Sequence, residues 1–115
     1  MKINILGQDY DLLIKSDEEF PKFVSADADG MAELYDKKLL ISKEGATSSE
    51  RTFDNLEAYT DKVIRHEIVH AYFHEAGLND YCRDEMLVDW LAIQLPKMAK
   101  TIKHVEENKK ELFGD

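Results

Sequence analysis

Two histidines, His66 and His70, stand four residues apart, and Glu67 directly follows the first. On a helix the two imidazoles lie about 40° apart on one face, and Glu67 lies about 100° from His66. Histidines at i and i+4 can aim both rings at one cation. Val63, Ile64, Ile68, Val69, Ala71, Tyr72 and Phe73 fall almost all the way round the same wheel, a pattern that predicts a buried helix. Buried imidazoles and carboxylates need partners, and a metal ion is an economical one. Glu85 and Asp89 form a second i, i+4 pair, set amid Met86, Leu87, Val88, Trp90, Leu91 and Ala92. Like charges at that spacing repel, more so when buried, so the pair predicts a compensating cation. A zinc ion bound by His66, His70 and Glu85, with Asp89 accepting a hydrogen bond from a ligating imidazole, satisfies all four residues.

The elements that must position these residues are legible in outline. Ile3 and Ile5 share one side of a strand and Tyr10, Leu12 and Ile14 one side of the next, with Gly7-Gln8 placed as the hairpin turn. Asp17 to Phe23 reads as a short helical turn limited by Pro21, and Asp27-Ala28-Asp29-Gly30 as turn chemistry. Ala32 and Leu34, then Leu39 and Ile41, give a second hairpin over residues 31–42, and Lys43 to Ser49 reads as loop. The active-site helix starts either at a capping box, Thr47-Ser48-Ser49-Glu50, or later at Asp54-Asn55-Leu56-Glu57. It should run through Phe73 and stop at Gly77. A second helix begins near Asp80 or Cys82, and its apolar positions step past Pro96, which either kinks it or starts a third. The expected architecture is a single α+β domain over residues 1–115, with antiparallel hairpins packed on the active-site helix and a second, ligand-bearing helix after it.

Composition narrows the function classes. Of 115 residues, 43% are hydrophobic, enough for one modest core. Fifteen basic residues against 24 acidic ones give a net charge of −9, which disfavours nucleic acid as a partner. No apolar run reaches the roughly 18 residues of a membrane span. The lone Cys82 excludes an intrachain disulfide and the Cys₂His₂ and Cys₄ zinc sites. Met1 opens directly onto a strand pattern without a secretion signal, so the expected compartment is cytoplasmic.

His66-Glu67-Ile68-Val69-His70 followed by Glu85-Met86-Leu87-Val88-Asp89 resembles the gluzincin metallopeptidases, which pair HExxH with a downstream ExxxD. The chain is also similar to the small ImmA/IrrE-type and phage-encoded metallopeptidases. There the pattern adds a histidine, matched by His74, and a later motif matched loosely by Glu85, Val88, Asp89, Leu91, Ala92 and Leu95. The likeness covers residues 60–96, with Val88, Asp89 and Leu91 departing from the usual alanine, asparagine and phenylalanine. It implies a zincin-like fold and one zinc per chain, leaving a fourth position for water. It also implies Glu67 as the general base in hydrolysis of a peptide or protein substrate of narrow range. Substrate would lie along the hairpin of residues 31–42 by strand addition. Tyr81, His74 and Arg83 are the candidates for oxyanion or substrate contacts.

Two other classes compete with this expectation. One is a zincin-fold binding module that keeps the metal without turnover. The other is a metal-dependent nuclease using His66, His70 and His74, which the acidic charge and the presence of Glu67 and Glu85 disfavour. Elsewhere Cys82, Tyr72, Phe73 and Trp90 read as core, and the charged stretch from Lys100 to Glu111 as a solvated face.

Overall fold

A computed structural model describes residues 1–44 and 55–114. The fold is α+β: among the described residues, a four-stranded mixed sheet and five helices. Strands β1 (Lys2–Ile5) and β2 (Gln8–Lys15) form an antiparallel hairpin in which Ile5 faces Gln8. The turn is therefore Leu6-Gly7, one residue earlier than expected. Both residues adopt left-handed φ, 49° and 92°, as a two-residue turn between right-twisting strands requires. The short helix α1 spans Lys22–Ser25, with Pro21 as its N-cap, so it follows the proline that was expected to limit it. Strands β3 (Gly30–Glu33) and β4 (Lys38–Ser42) pair antiparallel, as the second hairpin requires.

The sheet order is β1-β2-β4-β3, and β2 runs parallel to β4. This corrects the expectation of antiparallel strands throughout. Residues 16–37 provide the long crossover that a parallel pair needs, and they carry α1 and β3 outward on the way. Consequently β4 is central, with Leu39, Leu40, Ile41 and Ser42 all buried, and β3 is left on an edge.

Helix α2 (Leu56–Glu75) lies against β3 and β4. Asn55 caps its start by accepting from the Ala58 amide at 3.0 Å, and Gly77, at φ 75°, follows its end. The alternative capping box lies outside the described residues. Val63, Glu67, His70 and Ala71 are buried at i, i+4, i+7 and i+8, the stripe that faces the sheet. Ile5, Tyr10 and Leu39 meet Ala71 to form the core. The helix is not buried all round. Tyr72 is 44% exposed and Phe73 half-buried, and on the next helix Trp90 is 53% exposed. A sheet on one flank and helices on a second leave the third flank uncovered.

After α3 (Asn79–Cys82), helix α4 spans Glu85–Glu107 without interruption, and α5 covers Lys109–Phe113. Asp84 caps α4 by accepting from the Leu87 amide at 3.1 Å. Pro96 sits inside this helix and cannot donate to the Ala92 carbonyl. Arg65 of α2 takes that place, its Nε donating to Ala92 O at 2.6 Å. A tertiary hydrogen bond thus satisfies the acceptor that proline strands. None of the described helices is long and apolar enough to cross a membrane.

Candidate metal centre

The middle of α2 and the first turns of α4 bring His66, His70, Glu85 and Asp89 together. His66 Nδ1 lies 3.1 Å from Asp89 Oδ1, and His70 Nδ1 lies 2.8 Å from the Cys82 carbonyl oxygen. An ionised carboxylate and a carbonyl only accept, so these contacts assign the proton of each ring to Nδ1. Each Nε2 is then left with a lone pair. The two Nε2 atoms stand 3.2 Å apart. Glu85 closes the triangle, Oε2 at 2.9 Å from His66 Nε2 and Oε1 at 3.0 Å from His70 Nε2.

Three acceptors therefore converge with no proton assigned between them, an arrangement that favours a cation. His66, His70 and Glu85 could together hold a metal ion, although their separations of 2.9–3.2 Å are shorter than the roughly 3.4 Å between donors on a tetrahedral zinc. Protonating a ring is the competing remedy. Burial holds His70 below its ordinary pKa despite the pull of the Glu85 carboxylate, which opposes that remedy at this ring. Glu85 is well exposed, with 69% of its side chain accessible, leaving the open side of the site towards solvent.

The surroundings orient these donors. Partial burial opposes ionisation of Asp89, but hydrogen bonds from Lys62 and His66 outweigh it and hold the carboxyl below its usual range. Lys62 Nζ reaches the same oxygen as the imidazole, at 2.9 Å. Cys82 acts twice on His70: its carbonyl accepts from the ring, and its thiol donates to the His70 carbonyl at 3.3 Å. Sequence reasoning missed both contacts. Lys62 was readable in principle, since Lys62, His66 and His70 form one i, i+4, i+8 row.

Glu67 is 6% exposed and faces the edge strand. A Cβ added to Gly30 would stand 2.7 Å from Glu67 Oε2 and 2.8 Å from Val63 Cγ1, so only glycine lets β3 approach this closely. Burial pushes the Glu67 carboxyl up to about 8, with the Glu85 carboxylate adding to the shift. A cation at the histidine pair would act in the opposite direction and favour the ionised carboxylate.

Two clefts flank the donors, and His66, Glu67, Glu85 and Gly30 line both. One, of about 280 Å³, continues past Asp27, Asp29, Tyr59, Lys62 and Asp89. The other, of about 560 Å³, continues along Met31, Ala32 and Leu34 of the edge hairpin and past Cys82 and Arg83. Of the three residues expected to contact substrate, Arg83 lines this second cleft. Tyr81 borders a separate depression with Gly77 and Asp80, its ring 5.9 Å from Phe73. His74 lies edge-on to Tyr35 at 5.4 Å and lines neither cleft.

The chain matches no protein family model, no curated protein and no solved structure.

Proposed function

We propose that the protein is a zinc-dependent peptidase with a zincin-like domain, in which Glu67 is the general base. The observation that carries this reading is the pair of Nε2 lone pairs 3.2 Å apart, both facing Glu85, with both Nδ1 protons already engaged. Zinc bound there would lower the pKa of a water and polarise the carbonyl of the scissile bond.

The chain's own residues supply the rest. His66, His70 and Glu85 hold the ion, while Asp89 and the Cys82 carbonyl keep both rings in the binding tautomer. Glu67, beside the donors and shielded from bulk water, accepts the proton of the attacking water and returns it to the leaving amine. The exposed backbone edge of β3 passes Glu67 at Gly30 and offers an extended peptide hydrogen-bond partners on the way to the Arg83 side of the cleft. Arg83 is the one cation lining that cleft among the described residues, which places it to meet a carbonyl oxygen or carboxylate of the substrate.

The test combines metal analysis of the purified protein with cleavage of a peptide library, with and without a zinc chelator. About one zinc per chain and chelator-sensitive cleavage support the proposal. Stoichiometric zinc without cleavage assigns the chain to the metal-retaining binding modules instead, and absence of zinc binding removes both readings.

A further inference from the structure

One oxygen of Asp89 receives two donors from a single face of α2. His66 Nδ1 stands 3.1 Å from Asp89 Oδ1, and Lys62 Nζ stands 2.9 Å from the same atom. Lys62 and His66 lie one helical turn apart, so two prongs of one rigid element grip a carboxylate of α4. Asp89 needs that grip. Its side chain is 38% exposed, and a carboxylate so open to water gains little from one hydrogen bond that solvent can replace.

Lys62 is itself held in place. Its ammonium lies 5.3 Å over the ring of Tyr59, one turn earlier on α2. Tyr59 donates to Asp29 Oδ2, and the Asp29 backbone carbonyl accepts from the Ser42 amide of β4 at 2.8 Å. Asp29 is 8% exposed and directly precedes β3. A series of contacts therefore runs along the smaller cleft, from the sheet through Asp29, Tyr59, Lys62 and Asp89 to His66. Asp27, Glu67 and Glu85 line that cleft as well, yet among the described residues the carboxylate that Lys62 meets is the one behind a histidine.

We propose that Lys62 is a positioning residue of the metal centre: by holding Asp89 Oδ1 against His66 Nδ1, it fixes the ring in the tautomer and orientation that present Nε2 to His70 and Glu85. This rests on the reading of His66, His70 and Glu85 as zinc donors. Two simpler roles for the ammonium lead to different outcomes. An ion pair that only joins α2 to α4 contributes to stability and leaves metal affinity alone. A cation acting only through its charge repels a dication, so its removal tightens zinc binding. That repulsion is appreciable here, since Nζ lies no further from His66 Nδ1 than the two contacts placed end to end. A positioning residue does the reverse: its removal loosens zinc, and does so through Asp89.

Zinc alone is the probe, bound to the whole chain in competition with a chelator. Lys62→Met keeps the apolar stem and removes the ammonium, and it should weaken zinc about 3–10-fold, less than the loss from Asp89→Asn. Lys62→Arg restores a donor and should recover most of that affinity. In an Asp89→Ala background Lys62→Met should cost nothing further. Long-range proton–nitrogen NMR correlations on the metal-free protein at alkaline pH should place the His66 proton on Nδ1 in the parent and in Lys62→Arg, and on both nitrogens in Lys62→Met. Unchanged or tighter zinc in Lys62→Met, an equal loss in the Asp89→Ala background, or a His66 tautomer indifferent to Lys62 would overturn the proposal. A chain that binds zinc without cleaving peptides fails the peptidase reading, and the losses described would still support Lys62 in this role. A parent protein that binds no zinc removes both.

Discussion

Gly30 and Glu67 are packed so closely that a single methyl group on the first would stand 2.7 Å from a carboxylate oxygen of the second. The edge strand and the proposed base are thereby held in one fixed relation. Gly30→Ala must displace Glu67 or push β3 away from α2. Zinc content should stay near one per chain, while kcat falls about 10–100-fold and stability drops by about 1–3 kcal/mol. Unchanged turnover would show that Glu67 does not depend on this contact.

Glu67→Gln separates chemistry from metal binding. The variant should retain stoichiometric zinc and lose at least about 100-fold in turnover. Loss of zinc would instead make Glu67 a ligand.

The same residue predicts a pH dependence for the metal-free protein. Its folded carboxyl titrates at about 8, against about 4.3 in an unfolded chain. Between those values the folded state holds a proton that the unfolded state has released, so stability falls as pH rises through the window. With chelator present, Tm should decline from pH 5 to pH 8 in the parent protein and decline less in Glu67→Gln.

Glu85 and Asp89 should part company in metal affinity. Glu85→Ala removes a donor and should abolish stoichiometric zinc together with activity. Asp89→Asn leaves the donors in place and should weaken zinc about 10–100-fold in chelator competition. His74→Ala should keep near-stoichiometric zinc, since that ring lies against Tyr35. Metal that survives Glu85→Ala and vanishes with His74→Ala would install a three-histidine site.

Away from the site, Glu75 at the end of α2 accepts from Tyr10 of β2 and from Lys37 in the β3–β4 turn. Lys37, and Tyr10 after it, hold the Glu75 carboxyl below its usual range. Tyr10 is fully buried, so Tyr10→Phe should cost about 1–2 kcal/mol in urea unfolding with no change in zinc content.

The features read correctly from the chain are those whose causes lie within a few residues. Strand alternation located both hairpins, Gly77 marked the end of α2, Asp54-Asn55-Leu56-Glu57 was one of two starts left open for it, and the spacing from His66 to His70 set two imidazoles on one helix face. Glu85 and Asp89 stood out because like charges one turn apart on a largely apolar helix demand compensation. Features that depend on distant segments were not legible. The parallel pairing of β2 with β4 joins strands separated by a long crossover, and alternation is blind to strand direction. Pro96 left two outcomes open because the Arg65 side chain that satisfies Ala92 arrives from another helix. Likewise, which nitrogen of each ring carries the proton is set by Asp89 and by the Cys82 carbonyl, brought within 3.1 Å and 2.8 Å only when α4 and α3 pack on α2. Donor identity is a property of residue type and helical period. Donor orientation is a property of what packs behind the ring, and only the tertiary structure supplies it.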